Sequence, residues 1–268
     1  MSESFSRLVH IVAALRSPDG CPWDREQTLE SLSRFVLEEA YEVVDAIERG
    51  DMKGLSEEVG DHIFEGVFLA QIAHESGAFD VEGALTSVAD KLVRRHPHVF
   101  QPDGRVHDAV SRERAPSADA ALARWDAQKA ADRAGAGASR SALAGLPSAM
   151  PALQRAATLG KRAASAGFDW IGPGDVLDKI GEELVELRET LATAPGDRAR
   201  AEEEMGDLLL ALANLARKLD IEPEAALRKA NAKFTKRFTA MEARVQGAGR
   251  RMEEMTGEEL DLEWRRAK

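Results

Sequence analysis

One acidic pattern occurs twice in this 268-residue chain, and it constrains the fold more than any other feature. Glu182-Glu183-Leu184-Val185-Glu186 is followed by Glu204-Met205-Gly206-Asp207, and Glu38-Glu39-Ala40-Tyr41-Glu42 by Glu58-Val59-Gly60-Asp61. On a helix, residues three apart lie one turn apart on one face, which pairs Glu183 with Glu186 and Glu204 with Asp207. That face is the apolar one. Glu183 falls inside a stripe of Val176, Ile180, Leu187 and Leu191, and Glu204 lines up with Leu208, Leu212, Leu215 and Leu219. Glu39 lies in line with Leu32, Val36, Val43 and Ala46, and Asp61 with Phe64, Phe68 and Ile72. Carboxylates facing a core without compensation cost several kcal/mol each. A divalent cation removes the conflict, and an all-oxygen donor set suits Mg2+ or Mn2+ rather than zinc. The plainer reading is a pair of amphipathic helices with wide acidic faces, their acids favourably placed at helix starts. Repetition of the pattern favours a site.

The repeat extends beyond the acids. Gly60 and Gly206 precede the two aspartates, and Lys91/Arg95 and Lys233/Arg237 repeat a Lys-x-x-x-Arg spacing. Trp23 pairs with Trp170, and Trp125 with Trp264. An internal duplication explains all of these, and the length accommodates two domains that each bury a core. The expected division is a first domain over 1–134, an Ala/Gly/Ser linker over 135–147 and a second domain over 148–268.

Helical periodicity runs through both halves, and no convincing alternating strand interrupts it. Helices are expected at about 5–16, 29–49, 55–76, 81–95 and 117–133, then 151–165, 175–191, 198–219 and 223–245, with a last one carrying Leu260 and Trp264. Thr28 or Ser31, Asp80 and Thr256 stand as caps, and Gly50 and Gly77 as stops. Short connections between them point to an all-α fold of two helical bundles. Cys21-Pro22-Trp23-Asp24 reads as a loop, with Trp23 either a plug closing the bundle or a platform for a base. His96-Pro97-His98 reads as a helix-end loop in preference to a metal site. The net charge of −11 argues against nonspecific binding to nucleic acid or an anionic membrane. No apolar run reaches a membrane span, no secretion signal opens the chain, and Cys21 is the lone cysteine, so a cytoplasmic protein is expected.

Basic residues stand in register with the acids: Lys179 four before Glu183, and Arg200 four before Glu204. They form either simple helix pairs worth ~0.2–0.5 kcal/mol or a clamp in which cations hold phosphate oxygens while carboxylates hold a metal. There is no Walker-type glycine loop and no nucleophilic Ser or Cys beside a His. Attack of metal-activated water on a phosphoryl group fits what remains.

The two copies of Glu-Glu-x-x-Glu and Glu-x-x-Asp resemble the MazG family. So do Gly20-Cys21-Pro22-Trp23-Asp24, Arg94-Arg95-His96-Pro97-His98-Val99-Phe100, Leu122-Ala123-Arg124-Trp125, Gly167-Phe168-Asp169-Trp170 and Lys229-Ala230-Asn231-Ala232-Lys233-Phe234. The resemblance covers nearly the whole chain. It implies two tandem MazG-like all-α domains, Mg2+ dependence with Mn2+ as a substitute, a homodimer, and hydrolysis of nucleoside and deoxynucleoside triphosphates to monophosphate and pyrophosphate. By position it implies that Glu183, Glu186, Glu204 and Asp207 hold the metal and carry catalysis. Lys179, Arg200, Lys233 and Arg237 would contact phosphates, and Trp264 the nucleotide. Glu39, Glu42, Glu58 and Asp61 would be the metal set of the first half. Two positions depart from the family pattern: Arg200 stands for a lysine, and His62 follows Asp61 where Leu208 follows Asp207. The second half, with its fuller set of cations, is expected to be the catalytic one. Two rivals are a helical dimerisation or regulatory module with structural or vestigial metal sites, and a pyrophosphohydrolase restricted to one nucleotide such as dUTP or phosphoribosyl-ATP.

Overall fold

Local capping sets most helix boundaries in a computed structural model that describes residues 2–107, 117–118, 120–121, 124–125, 128, 141–193 and 196–267. Helix α1 (Glu3–Arg16) opens where the Ser2 side chain accepts from the Phe5 backbone N–H. A short α2 (Pro22–Glu26) follows with proline at its first position. This corrects the loop expected there: Pro22 has no N–H to lose at a helix start, and Gln27 Nε2 donates to the Trp23 carbonyl at 2.9 Å to close the turn. Thr28 and Ser31 act together, not as alternatives, in a reciprocal capping box that opens α3 (Leu29–Arg49). Gly50, in the left-handed region at φ 67°, ends it. Asp51 immediately caps α4 (Met52–Glu75), so α4 begins three residues before its apolar pattern does and must run back along α3. Asp80 caps α5 (Val81–Arg95).

The second half repeats this plan with α6 (Ala152–Ser165), α7 (Pro173–Thr193), α8 (Arg198–Lys218, capped by Asp197) and α9 (Pro223–Gly247, capped by Glu222). A 3-10 turn at Met252–Glu254 leads to α10 (Gly257–Arg266), opened by a Thr256–Glu259 capping box. Among the described residues there is no strand, only an isolated bridge between Phe100 and Val106. The histidines before it close the end of α5. His96 Nδ1 lies 2.7 Å from the Leu92 carbonyl, and the His96 ring packs 4.9 Å from that of Trp125. The helix expected over 117–133 is helical at residues 118, 120, 121, 124, 125 and 128, and its other positions lie outside the described residues. So does most of the expected linker, whose described end turns at Gly145 (φ 70°).

The chain divides into two compact units, Met1–Asp132 and Arg133–Lys268. The first is built on the α3–α4 pair, with α1 and α5 against α4. Its core is Val12, Leu32, Val67 and Phe68, flanked by Phe35, Phe64 and Ile72. The second is built on the α7–α8 pair, with α6 against α8, and α9 touching α6, α8 and α10. Its core is Val176, Ile180, Leu208 and Ala211, flanked by Trp170, Leu187 and Leu215. Leu191, Leu212 and Leu219, expected on the inner faces, are exposed, while Thr190 and Ala211 are buried. Each step of four residues overshoots a helix face by roughly 40°, and only an intervening step of three restores it. Successive steps of four from Glu183 and Glu204 therefore left the core side.

Candidate active site

Within the second unit, α7 supplies Glu183 and α8 supplies Glu204 and Asp207, one carboxylate oxygen of each lying within 4.8 Å of the others. Glu183 interrupts the buried stripe of α7 and is 5% exposed. Its Oε2 is buried and has no hydrogen-bond partner. The Glu204 side chain is 12% exposed, and Asp207 is open to solvent. Glu186, also exposed, faces the same group: desolvation, then the charges of Glu183 and Glu204, push its carboxyl above the usual range.

The expected phosphate ligands of this helix pair hold the carboxylates instead. Lys179 Nζ sits 2.8 Å from Glu183 Oε1 and 3.1 Å from Glu182 Oε2. Those two bonds, Glu183 first, raise the lysine well above its ordinary range. Arg200 Nε lies 3.6 Å from Glu204 Oε1. Lys233, Arg237 and Trp264 belong to a second group, on α9 and α10. The Arg237 guanidinium stacks 4.1 Å over the Trp264 ring, and Phe234 packs 5.3 Å from the same ring. Arg237 Nε is buried without a partner, and Lys233 is exposed.

The first unit reproduces the acids. Glu39 from α3 and Glu58 and Asp61 from α4 bring carboxylate oxygens within 4.8 Å. Glu39 Oε2 is buried and unpartnered, as Glu183 Oε2 is. Burial, then the charges of Glu42, Asp61 and Glu38, raise the Glu39 carboxyl, against a smaller opposing effect of His62. Glu58 is raised as well, by desolvation and then by Glu42. The aromatic repeat also holds in space, since Arg95 stacks 5.2 Å over Trp125 as Arg237 does over Trp264. The cations do not repeat: Phe35 stands at the position of Lys179, and Gly54 at that of Arg200.

Glu65 stands beside the first cluster, outside the three acids whose oxygens lie within 4.8 Å of one another, and was not anticipated from the sequence. It lies on α4 four residues after Asp61, is 6% exposed, and its Oε2 has no partner. Burial, then Glu39 and Asp61, push its carboxyl up. The available signal was its place between Asp61 and Phe68 on one helix face.

These donor sets fit a hard divalent cation. Each cluster offers at least three carboxylate oxygens from two helices, each includes a glutamate with one buried oxygen that lacks a hydrogen bond, and the converging groups contain no sulfur or imidazole.

Among the described residues the acids converge from paired helices with no sheet beside them, which defines the class of all-α proteins with a carboxylate-lined centre. Residues 27–100 match the family model of the MazG nucleotide pyrophosphohydrolase domain, and residues 163–234 that of phosphoribosyl-ATP pyrophosphohydrolase. The chain is 44% identical over 263 residues to a nucleoside triphosphate pyrophosphohydrolase of Escherichia coli K12, covering 98% of this chain and 96% of that one. It is 40% identical over 264 residues to the nucleoside triphosphate pyrophosphohydrolase/pyrophosphatase MazG of Thermotoga maritima, covering 98% and 95%. A nucleoside triphosphate pyrophosphohydrolase of Mycobacterium tuberculosis is 31% identical over 229 residues, 83% of this chain and 66% of that one. The chain belongs to the MazG family of nucleotide pyrophosphohydrolases. Both matched segments contain a complete set of four acids, and the second ends before Arg237 and Trp264. Among the described residues no helix is long and apolar enough to cross a membrane.

Proposed function

We propose that this chain hydrolyses nucleoside and deoxynucleoside triphosphates to monophosphate and pyrophosphate with Mg2+, or Mn2+ in its place, at the α7–α8 cluster. One observation carries the reading: a buried oxygen of Glu183 without a partner, at the point where Glu204 and Asp207 converge. Glu183, Glu186, Glu204 and Asp207 would hold the cation. When bound, it would screen phosphate charge and lower the proton affinity of a coordinated water. The chain's own residues bind and orient. Lys179 is 41% exposed and shares its ammonium between two glutamates, so it can give up Glu182 for a phosphate oxygen. Arg200, only loosely held at 3.6 Å, can do the same. Lys233 adds a further exposed charge, and Trp264, backed by Arg237, offers a flat face for a base. No side chain of the cluster is a nucleophile of the serine or cysteine kind, so direct attack by water is the step this site supports.

The first unit serves differently in this reading. Its acids are retained, but with Phe35 and Gly54 it lacks counterparts of Lys179 and Arg200, two of the cations that would neutralise a triphosphate. Turnover is therefore assigned to the second unit.

The protein acts as a homodimer in this account. Leu177, Leu184 and Val185 on α7, with Leu209, Leu210 and Leu212 on α8, are exposed on the helix pair that carries the site. Several large apolar side chains exposed on one helix pair support this reading.

The test of activity is incubation with each nucleoside and deoxynucleoside triphosphate plus Mg2+, with the products identified. Monophosphate and pyrophosphate support the proposal, and diphosphate and orthophosphate contradict it. Turnover of a single nucleotide alone would favour the restricted enzyme instead.

A further inference from the structure

We propose that Glu65, one turn beyond Asp61, is a further supporting carboxylate of the first cluster and helps make it a divalent-cation site that fills without nucleotide. The inference rests on reading that cluster as a cation site, and adds to it a residue outside the Glu-Glu-x-x-Glu and Glu-x-x-Asp pattern.

Glu65 sits one turn beyond Asp61 on the same face of α4, where the charges of Glu39 and Asp61 act on its carboxyl. It is 6% exposed, and among the described residues its side chain makes no hydrogen bond or ion pair. A buried carboxylate needs either a proton or a counter-charge. Two buried oxygens are orphaned here, Glu65 Oε2 and Glu39 Oε2, and both are acceptors. A single proton would serve both only if the two oxygens shared it in one hydrogen bond, and neither has a hydrogen-bond partner. A cation between α3 and α4 serves both, together with Glu58 and Asp61, whose oxygens already converge on Glu39.

The duplicated half supplies the comparison. Four residues after Asp207 stands Ala211, where Glu65 stands four after Asp61. Three differences therefore run one way. The first half exchanges Lys179 for Phe35, Arg200 for Gly54 and Ala211 for Glu65. In the second cluster Lys179 and Arg200 compete with a metal for Glu183 and Glu204 and attract phosphate. Among the described residues no lysine or arginine pairs with the acids of the first cluster, so a free triphosphate meets less positive charge there. That cluster favours a bare, hard, oxygen-preferring divalent cation, and the second favours the cation together with a nucleotide.

The experiment is an Mn2+ titration of the full-length chain without nucleotide, following free Mn2+ by electron paramagnetic resonance. The wild-type chain, Glu65→Gln, Glu65→Ala and Glu183→Gln are compared, with folding checked by circular dichroism. Gln keeps the volume of Glu65, and Ala is what the second half carries there. We expect a tighter and a weaker class of site in the wild-type chain. Both Glu65 variants should weaken the tighter class by at least the ~10-fold that loss of outer-shell support costs. Glu183→Gln should leave that class in place. Folded Glu65 variants whose isotherms overlay the wild type would overturn the proposal, as would loss of the tighter class in Glu183→Gln alone. No Mn2+ binding by the wild-type chain would overturn the cation reading of the first cluster itself.

Discussion

Lys179 Nζ is bonded to one oxygen of Glu183 at 2.8 Å, while the other oxygen of the same carboxylate is buried with no partner. The lysine therefore partners one oxygen of a carboxylate that also gathers with Glu204 and Asp207. In the proposed function it would compete with a cation in the free protein and become available to phosphate once a cation satisfied that carboxylate. Lys179→Met should tighten Mn2+ binding at this cluster without nucleotide. It should also lower kcat/KM by about tenfold, the equivalent of losing one charge-assisted bond. Isothermal titration and initial rates check the two effects, which run in opposite directions. A drop in both would place Lys179 in a purely structural role.

Asp169 holds the loop ahead of α7 against the end of α8. Its carboxylate accepts from Arg217 at 2.6 Å and from Lys218 at 2.7 Å, and Lys218 also donates to the Trp170 carbonyl at 2.6 Å. These bonds, Arg217 first, hold the Asp169 carboxyl far below its ordinary range. A depressed folded-state value means that the stabilisation is complete above the unfolded-chain value of ~3.9 and is lost as pH falls below it. Asp169→Asn should destabilise the second unit at neutral pH by on the order of 1–2 kcal/mol, allowing for partial exposure. The gap between variant and wild type should close in melts taken at progressively lower pH. A constant gap down to acid pH would show that the charge is immaterial.

Much of this was readable in the sequence because capping and helical periodicity are local. Thr28, Asp80 and Thr256 sit where helices start, and Gly50 where one ends. The acids of both halves meet because residues three apart on one helix share a face and the two motifs sit on neighbouring helices. What escaped depends on phase or on partners brought by the fold. Leu191, Leu212 and Leu219 drift out of register over successive turns and end in solvent. Glu65 was not singled out in the sequence, and its burial without a partner for Oε2 exists only in the folded bundle. The choice of Lys179 between carboxylate and phosphate is set by what fills the site, which sequence spacing does not encode.

The exposed apolar residues of α7 and α8 bear on assembly. Val185 follows Glu183 by two positions and points away from the core, about half exposed. A charge there, as in Val185→Asp, should shift a dimer toward monomer by placing an unpaired carboxylate in an apolar contact. It should leave helix content unchanged. Light scattering across a concentration series checks this. A monomeric wild-type chain with full activity at assay concentration would contradict the dimer.

The central claim is that the α7–α8 carboxylates, and not their duplicates on α3 and α4, carry hydrolysis. The direct measurement is kcat/KM for Glu183→Gln and Glu39→Gln on one nucleoside triphosphate with Mg2+. Each exchange preserves volume and removes one charge. Losing a metal ligand should cost several kcal/mol of transition-state stabilisation, or about a thousandfold in rate at roughly 4 kcal/mol. We expect that loss for Glu183→Gln, with Glu39→Gln keeping most of the wild-type value. Equal large losses, or a large loss only for Glu39→Gln, would contradict the account.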